Sequence, residues 1–164
     1  MSDIDIRPAT PEDAAALAAL RFEFRASLRT TRESQSAFVA RCADWMRVRL
    51  TLGEGHGAWK CWLAQAGHEA VGHLWIQTVE KIPNPGFELE LHAYLTNFYV
   101  RDAVRGSGVG TSLLSAALEW CDGHGVDVVF LWPTARSRPL YERHGFVAAD
   151  ALLTRQVAQH RKPA

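Results

Sequence analysis

The sequence predicts a mixed α/β fold in which helices pack against one layer of β-sheet. Three observations predict it. Segments of strand type, either alternating or rich in aromatic and β-branched residues, are interspersed with segments whose apolar residues recur every three to four positions. These segments follow the order β-α-α-β-β-β-α-β-α-β, with no internal repeat and no linker. A chain of 164 residues, 48% of them hydrophobic and 22% charged, suits one domain over residues 1–164.

The N-terminal third predicts one strand and two helices. "DIDIRPAT" alternates apolar and polar residues and reads as a short strand. Thr10 as N-cap, Pro11 in the first turn and the acids after it begin a helix that continues through "AAALAALRFEFRA". A second helix is predicted from about Glu33 to Leu52, where apolar residues have three- and four-residue spacing, and "GEGHG" ends it.

The middle of the chain predicts three strands. "WKCWLAQ" and "AVGHLWIQTVEKI" are rich in aromatic and branched residues and are joined by "AGHE", which indicates an antiparallel hairpin. "PNPG" is typical of a turn. The segment "FELELHAYLTNFYV", residues 87–100, is then expected to form one long strand.

The C-terminal part predicts helix, strand, helix and a final strand region. "RDAVRGSGVG" leads into a helix that reaches about Gly123. "VDVVFLW" is almost continuously apolar, as in a strand covered on both faces, and Pro133 ends it. "ARSRPLYERHG" predicts a short helix closed by Gly145, and "FVAADALLTRQVA" predicts one or two last strands.

The composition argues against several classes of protein. Eighteen basic and eighteen acidic residues balance, whereas a nucleic-acid-binding protein usually has a basic excess. No apolar run approaches the roughly 20 residues that span a bilayer, so no membrane partner is expected. The N-terminus "MSDIDIRPAT" is acidic and polar, unlike a signal peptide, and we expect a cytoplasmic protein.

Neither the cysteines nor the histidines predict a metal site. Cys42, Cys61 and Cys121 are dispersed without a CxxC spacing, which favours reduced, packed thiols. The seven histidines include no HxxxH or HxH pair and no local cluster with cysteine. We therefore expect no bound metal.

The segment "RGSGVG" stands between a strand and a helix. It lacks the lysine and the Ser or Thr of a P-loop, and its G-x-G-x-G spacing is not the dinucleotide-binding pattern G-x-G-x-x-G. A plain tight turn is one interpretation. The other is an anion site, since glycines let backbone N–H groups at a helix N-terminus converge on a phosphate, with Arg105 adding positive charge.

Two segments carry a resemblance to a known family. "NFYVRDAVRGSGVGTSLLSAAL" resembles the acetyl-coenzyme A signature R/Q-x-x-G-x-G/A of the GCN5-related N-acetyltransferase (GNAT) family. Some thirty residues on, "RPLYERHGF" resembles the second motif of that family, L-Y-x-x-x-G-F, with the expected strand between them. The element order is similar from end to end, so the resemblance implies a single-domain GNAT fold.

The resemblance implies acetyl-CoA as cosubstrate and no metal. The pantetheine arm would lie along the backbone of the strand before the glycine turn, and the amides of the turn would hold the pyrophosphate. The residues expected to bind the cosubstrate on this basis are Phe98, Tyr99, Val100, Arg105, Gly106, Ser107, Gly108, Val109, Gly110, Thr111 and Thr134.

Tyr141 matches the family tyrosine that would protonate the departing thiolate, and it is our candidate catalytic residue; the alternative is a packed core tyrosine. No cysteine lies in either motif, so direct transfer to the amine is expected. The chain departs from the family pattern at Thr134 and Ser137, where asparagine and alanine are usual. It also departs at Tyr94 and Thr96, where relatives carry a general base. Either a water chain, with His92 or Glu90 as its end point, would then accept the proton of the amine, or the substrate amine is less basic than an alkylamine.

The expected reaction is acetyl transfer to a primary amine, most simply that of a small molecule. A peptide amine remains an alternative acceptor, as does a non-catalytic acyl-CoA-binding sensor that lacks a base. "RFEFRASLRTTRESQ" is rich in arginine, which indicates either an acidic acceptor or, the interpretation we prefer, a solvated helix face. Dimers are common in the family, so a homodimer is a further expectation.

Overall fold

The computed structural model describes residues 4–53 and 58–155 of the chain. Its backbone divides into two compact units, residues 1–132 and 133–164. The first unit holds the sheet and three helices, and the second holds one short helix.

The first unit contains a mixed sheet with the strand order β1-β2-β3-β4-β5. The first four strands pair antiparallel, and β4 and β5 pair parallel. This confirms the predicted mixed α/β class. The strands are β1 Ile4–Pro8, β2 Trp59–Ala66, β3 Glu69–Glu80, β4 Leu91–Val100 and β5 Val126–Phe130.

The helices follow the predicted order. Two 3₁₀ turns, Pro11–Asp13 and Asp102–Val104, precede the first and third of them. The α-helices are α1 Ala14–Ala26, α2 Gln35–Leu52, α3 Val109–Gly123 and, in the second unit, α4 Arg138–Arg143.

The start of the first helical segment is stabilised as the sequence predicts. The Thr10 N–H donates to the Asp13 carboxylate at 2.8 Å, and Arg7 donates to both oxygens of that carboxylate at 2.7 Å. The hydrogen bond from Arg7 lowers the pKa of Asp13. β1 and the first turn are therefore joined through one carboxylate. Ser34, one residue after the predicted start at Glu33, caps α2 by accepting from the Ala37 N–H at 3.3 Å.

The core occupies both faces of β3. On one face Trp75 packs in a cluster with α1 and α2 residues, including Leu17, Leu20 and Met46. On the other face Gly72 lies against α3, where an added Cβ would approach Leu113 to 3.4 Å. Because successive strand residues alternate between faces, odd-numbered residues of β3 from His73 onward face α1 and α2, and even-numbered ones from Gly72 onward face α3.

Two predicted strands are shorter in the structure. β4 begins at Leu91, not Phe87, and the Phe87 side chain is fully exposed. Pro83 and Pro85 lack N–H donors, so the chain that follows β3 cannot extend the ladder with β4. β5 ends at Phe130, and Asp127 and Val128 are exposed. The prediction that this strand is covered on both faces was wrong, because Asp127 and Val128 in its middle are exposed; β5 is also the edge of the described sheet.

The predicted last strands do not form within the described residues. Residues 146–155 contain a turn and irregular backbone but no strand. The end of the predicted segment, residues 156–158, lies outside the described part of the chain. Exposed Val147 and Leu153 show why the apolar pattern misled: these side chains are not buried on a sheet face.

The three cysteines are free, with Cys61 and Cys121 buried, as expected for thiols packed as small apolar groups. Within residues 4–53 and 58–155, no helix is both long enough and apolar enough to cross a membrane.

Candidate active site

A β-bulge near the end of β4 shapes the first part of the site. His73 of β3 pairs with Tyr99, but Trp75 pairs with Thr96, so β4 carries one extra residue over this interval. Asn97 lies in that interval and has φ +49°, a left-handed conformation that asparagine tolerates better than most residues. Because of the extra residue, the side chains of β4 after the bulge point to the opposite face from the one that regular alternation would give them. Tyr99 therefore lies on the α1 side, where its ring stacks on Phe24 at 5.4 Å.

β4 and β5 pair over only part of their length. The parallel pairing runs from Leu91 to Tyr94, where Tyr94 lies beside Phe130, the last residue of β5. β4 then continues for six residues to Val100. The Tyr94 ring is stacked on Phe130 at 5.5 Å and meets Trp132 edge-on at 5.2 Å, so an aromatic group marks the place where the pairing ends. Phe98, Tyr99 and Val100 lie on the part of β4 beyond it.

The glycine turn leads directly into α3. Gly106 has φ +81° and Gly108 has φ +89°, and Gly108 is the N-cap of the helix. The first amides of an α-helix have no acceptor within the helix, so those of residues 108–111 point out of its end. Gly106, Ser107 and Gly108 are exposed. The turn therefore presents accessible N–H groups at the positive end of a fifteen-residue helix, the arrangement that binds phosphate.

Arg105 fixes the turn against the end of β4. Its Nε donates to the Val100 carbonyl at 2.8 Å, and its guanidinium forms an ion pair with Asp102 and lies 5.6 Å from the Tyr99 ring centre. Ser107 donates from Oγ to the Val104 carbonyl at 2.6 Å. Ten predicted cosubstrate-binding residues of the first unit thus lie along the end of β4, the glycine turn and the first turn of α3, with the Val109 side chain buried, and these are Phe98, Tyr99, Val100, Arg105, Gly106, Ser107, Gly108, Val109, Gly110 and Thr111.

Thr134 and Ser137, the two departures from the family pattern in the second unit, bond to each other. Their hydroxyl oxygens are 3.0 Å apart, the Thr134 N–H donates to Ser137 Oγ at 3.0 Å, and the Ser137 N–H donates to Thr134 Oγ1 at 3.2 Å. The Thr134 carbonyl accepts from the Arg138 N–H at 3.0 Å. Thr134 therefore shapes the turn before α4, and its predicted contact with the cosubstrate stays a prediction.

Tyr141 lies in the middle of α4 and is 7% exposed. Its ring meets Phe146 edge-on at 5.5 Å, and its carbonyl accepts from the Phe146 N–H at 3.1 Å, with Gly145 at φ +84° between them. Burial raises the pKa of Tyr141 to about 12. The phenol is consequently protonated at every pH at which the protein is expected to work.

The candidate bases lie along β4 and just before it. Tyr94 and Thr96 pair with Gln77 and Trp75, and His92 pairs with Val79 of β3 and with Val128 of β5. His92 and Tyr94 are two positions apart and so share a sheet face, about 6–7 Å from each other along the strand. Glu90 precedes β4 and is exposed, and its carbonyl accepts from the Lys81 N–H at 2.8 Å.

Sequence reasoning missed two residues beside the bulge. Arg21 of α1 donates to the Asn97 side-chain oxygen at 3.0 Å, although 76 positions separate them. A local signal existed for Asn97, since asparagine is disfavoured inside strands and favoured at left-handed positions. Nothing in the local pattern distinguished Arg21 from the other arginines of its segment. Among the residues that the structure describes, no group of three or more His, Cys, Asp and Glu side chains could hold a metal ion.

Comparison with known proteins agrees with this geometry. A model of the acetyltransferase (GNAT) family matches residues 20–146, which include β4, the glycine turn, α3 and α4. The chain therefore belongs to the GNAT acetyltransferase family and is an acyltransferase. No curated protein sequence matches it.

Solved structures share the fold. A GCN5-related N-acetyltransferase from Ralstonia eutropha is 21% identical with a TM-score of 0.72, and the match covers 95% of this chain and all of that one. A predicted acetyltransferase with acetyl-CoA from Clostridium acetobutylicum is 17% identical with a TM-score of 0.77, covering 98% and 100%. An aminoglycoside acetyltransferase from an uncultured soil sample, in complex with sisomicin, is 14% identical with a TM-score of 0.67, covering 95% of each chain.

Proposed function

We propose that this protein transfers the acetyl group of acetyl-CoA directly to a primary amine of a small molecule. The observation that carries the proposal is the junction of β4 and α3. There a strand that continues past its parallel neighbour runs into a helix N-terminus preceded by two left-handed glycines. A long, polar, pyrophosphate-containing molecule fits such a junction, with one end along the strand and its anionic part at the helix.

The amides of residues 106–111 are the proposed pyrophosphate site. The exposed turn and the helix dipole both favour an anion there, with the dipole contributing about 0.3–1 kcal/mol. Arg105 adds a permanent positive charge beside the turn, which its ion pair with the exposed Asp102 offsets in part. The backbone of Phe98, Tyr99 and Val100 is proposed to pair with the amide groups of the pantetheine arm, as an added strand would.

The transfer itself needs two contributions from the chain. An amide N–H of the bulged part of β4, near Phe98, is proposed to stabilise the negative charge that develops on the thioester oxygen. Tyr141 is proposed to act on the leaving sulfur. Complete proton transfer from a phenol with a pKa of about 12 to a thiolate, whose thiol has a pKa near ~8.5, costs roughly 5 kcal/mol. Tyr141 is therefore better suited to donate a hydrogen bond to the sulfur than to give up its proton.

The amine must lose a proton before or during the attack. An alkylamine of pKa near ~10.4 is almost entirely protonated at a pH of about 7.4, and selecting its neutral form there costs about 4 kcal/mol. Because Tyr94 and Thr96 are weak bases, a water chain ending at His92 or Glu90 is proposed to accept this proton. A small-molecule acceptor is supported by the shared fold with an acetyltransferase solved with sisomicin.

Thermal unfolding with acetyl-CoA, CoA and NAD in parallel tests the cosubstrate. At 100 times its dissociation constant a ligand adds about 2.7 kcal/mol of stability, which raises Tm by several degrees at this chain length. A shift with both CoA species and none with NAD is expected. Absence of any shift would refute the proposal.

Amine-dependent thiol release then tests the transfer. We expect release from acetyl-CoA to increase with the concentration of an accepted primary amine. Cosubstrate binding combined with slow hydrolysis that no small amine accelerates would contradict transfer to small molecules. Release driven only by a peptide amine would identify the protein acetyltransferase instead, and no response to either would identify a sensor.

A further inference from the structure

Arg21 has an unusual environment for an arginine. It is half-buried on α1, and burial, followed by the charge of Arg25 one turn away, lowers its pKa. One of its five N–H groups donates to the uncharged Asn97 side chain at 3.0 Å. Within residues 4–53 and 58–155, no carboxylate forms an ion pair with Arg21 or with Arg25. The helix therefore carries two adjacent positive charges on one face without a counter-charge in that part of the chain.

Two other half-buried arginines, Arg7 and Arg101, are each paired with a carboxylate. Arg7 donates to both oxygens of Asp13. Arg101 donates to both oxygens of Glu23, at 2.6 and 2.9 Å, and also pairs with Glu69. Each guanidinium is thus met by a carboxylate in the forked geometry that suits it. Arg21 is half-buried in the same way, but its described partners are the Asn97 amide oxygen and the Phe24 ring, 5.8 Å from the guanidinium carbon, and neither of them is an anion.

His73 provides a second, independent observation on the same side of the sheet. It is fully buried, and its Nδ1 accepts from the Trp75 indole N–H at 3.3 Å. Its proton must then be on Nε2, and Nε2 has no hydrogen-bond partner in the described part of the chain. His73 is near enough to Arg21 for that charge to lower its pKa, in addition to the larger effect of burial. A buried donor and a half-buried cation therefore both require an acceptor oxygen.

The position of these groups relates them to the reaction. His73 pairs with Tyr99, and Asn97, which holds Arg21, lies in the bulge between the Tyr99 and Thr96 pairings. Arg21 thus lies over the segment of β4 at which we place the thioester, on the α1 side of the sheet.

We propose that the acceptor amine carries an anionic group, a carboxylate or a phosphate, and that Arg21 binds this group. The proposal rests on the acetyl transfer proposed above and names the class of acceptor. Anionic oxygens satisfy the guanidinium fork bidentately, and the Nε2–H of His73, on the same side of the sheet, is a second donor that lacks an acceptor among the described residues. The hydrogen bond to the Asn97 side chain orients the guanidinium. The free amine at the other end of the acceptor would then reach the thioester.

Matched pairs of amines test the proposal. β-Alanine is compared with its amide, and phosphoethanolamine with ethanolamine, in the thiol-release assay. The first pair reports on a carboxylate and the second on a phosphate. We expect kcat/KM to be at least about tenfold higher for one anionic member, a difference of ~1.4 kcal/mol. Arg21→Gln should abolish that preference chiefly through KM, whereas Arg29→Gln, an exposed arginine just after α1, should retain it.

Asn97→Asp provides a variant that keeps Arg21 in place. Aspartate also tolerates the left-handed conformation, and its carboxylate would neutralise the guanidinium at the 3.0 Å contact. We expect this variant to lose the anionic preference while remaining folded. Equal kcat/KM for the two members of both pairs in the wild-type protein, or an unchanged preference in Asn97→Asp, would overturn the proposal.

A binding measurement covers the case in which none of these amines is acetylated. Calorimetry of inorganic phosphate against the protein saturated with CoA should show binding in the wild type and a loss of at least about tenfold in affinity in Arg21→Gln. Equal phosphate affinity in the two proteins would refute the role of Arg21. CoA binding measured in the same samples separates the two proposals, since its absence refutes the acetyl-CoA site, whereas its presence without an anionic preference refutes only the role of Arg21.

Discussion

Replacing Gly108 with alanine tests whether the left-handed turn before α3 is needed. Gly108 is the N-cap of the helix at φ +89°, and an added Cβ would meet no atom within 4 Å. The substitution therefore adds no clash, and its cost is conformational. An alanine in the left-handed region costs about 1–2 kcal/mol, and the reduced freedom of the unfolded chain returns about 0.4–1 kcal/mol. We expect a net destabilisation on the order of 1 kcal/mol.

The same helix provides the control. Gly123 ends α3 with ordinary helical geometry, and its added Cβ also meets nothing within 4 Å. Gly123→Ala should therefore stabilise the protein by up to about 1 kcal/mol. With about 2–4 °C per kcal/mol at this chain length, the two variants should differ in Tm by several degrees in opposite directions from the wild type.

The assay is thermal unfolding with and without saturating CoA. Gly108→Ala should show both the lower Tm and a smaller increase on adding CoA, because relaxation of the turn moves the amides proposed to hold the pyrophosphate. Gly123→Ala should show the wild-type increase. Equal Tm values for Gly108→Ala and the wild type would refute the left-handed N-cap. A lower Tm with an undiminished CoA response would refute the role of the turn in binding.

Three further predictions concern two buried side chains, His73 and Tyr141, and the half-buried Arg101. Burial lowers the pKa of His73 to about 3, so between pH 6.5 and 3 the unfolded chain binds a proton that the native state does not. Between pH 6.5 and pH 4.5 the free energy of unfolding of the wild type should fall by about 2–3 kcal/mol more than that of His73→Leu. An equal fall in the two proteins would contradict this. Arg101→Met should lower the free energy of unfolding by about 1–2 kcal/mol, because Glu23 loses its partner. Urea unfolding measures this, with Arg29→Gln as the control. Tyr141→Phe should lower kcat about tenfold or more, and an unchanged kcat would exclude action on the sulfur.

Much of the fold could be predicted because its signals are local. The threonine and proline before α1, the three- and four-residue spacing in α2 and the glycines before α3 each act within a few residues of the chain. The order of elements followed from these signals. The identity of β5 as an edge strand did not, because an apolar run shows that a segment avoids water and not how many neighbours it has.

The finer features of the site depend on contacts that no local pattern encodes. The register change between His73 and Trp75 is a property of two strands, and the bond from Arg21 to Asn97 joins residues 76 positions apart. Thr134 and Ser137 each appeared as a departure from the family pattern. Their hydrogen bonds show that the two departures belong together. The two hydroxyls bond to each other, and each also accepts from the backbone N–H of the other residue in the turn before α4.

The bulge at Asn97 links the two halves of the proposed reaction. One extra residue in β4 turns Tyr99 toward α1, where it stacks on Phe24, and shifts the backbone that we assign to the pantetheine arm. The same residue presents its amide oxygen to Arg21, the group that we assign to the acceptor. In a strand without the bulge, residue 97 would pair regularly with a residue of β3 and would have extended rather than left-handed backbone. The proposed cosubstrate position and the proposed site for the acceptor's charge therefore both depend on this one irregularity in β4, so a change there should affect both.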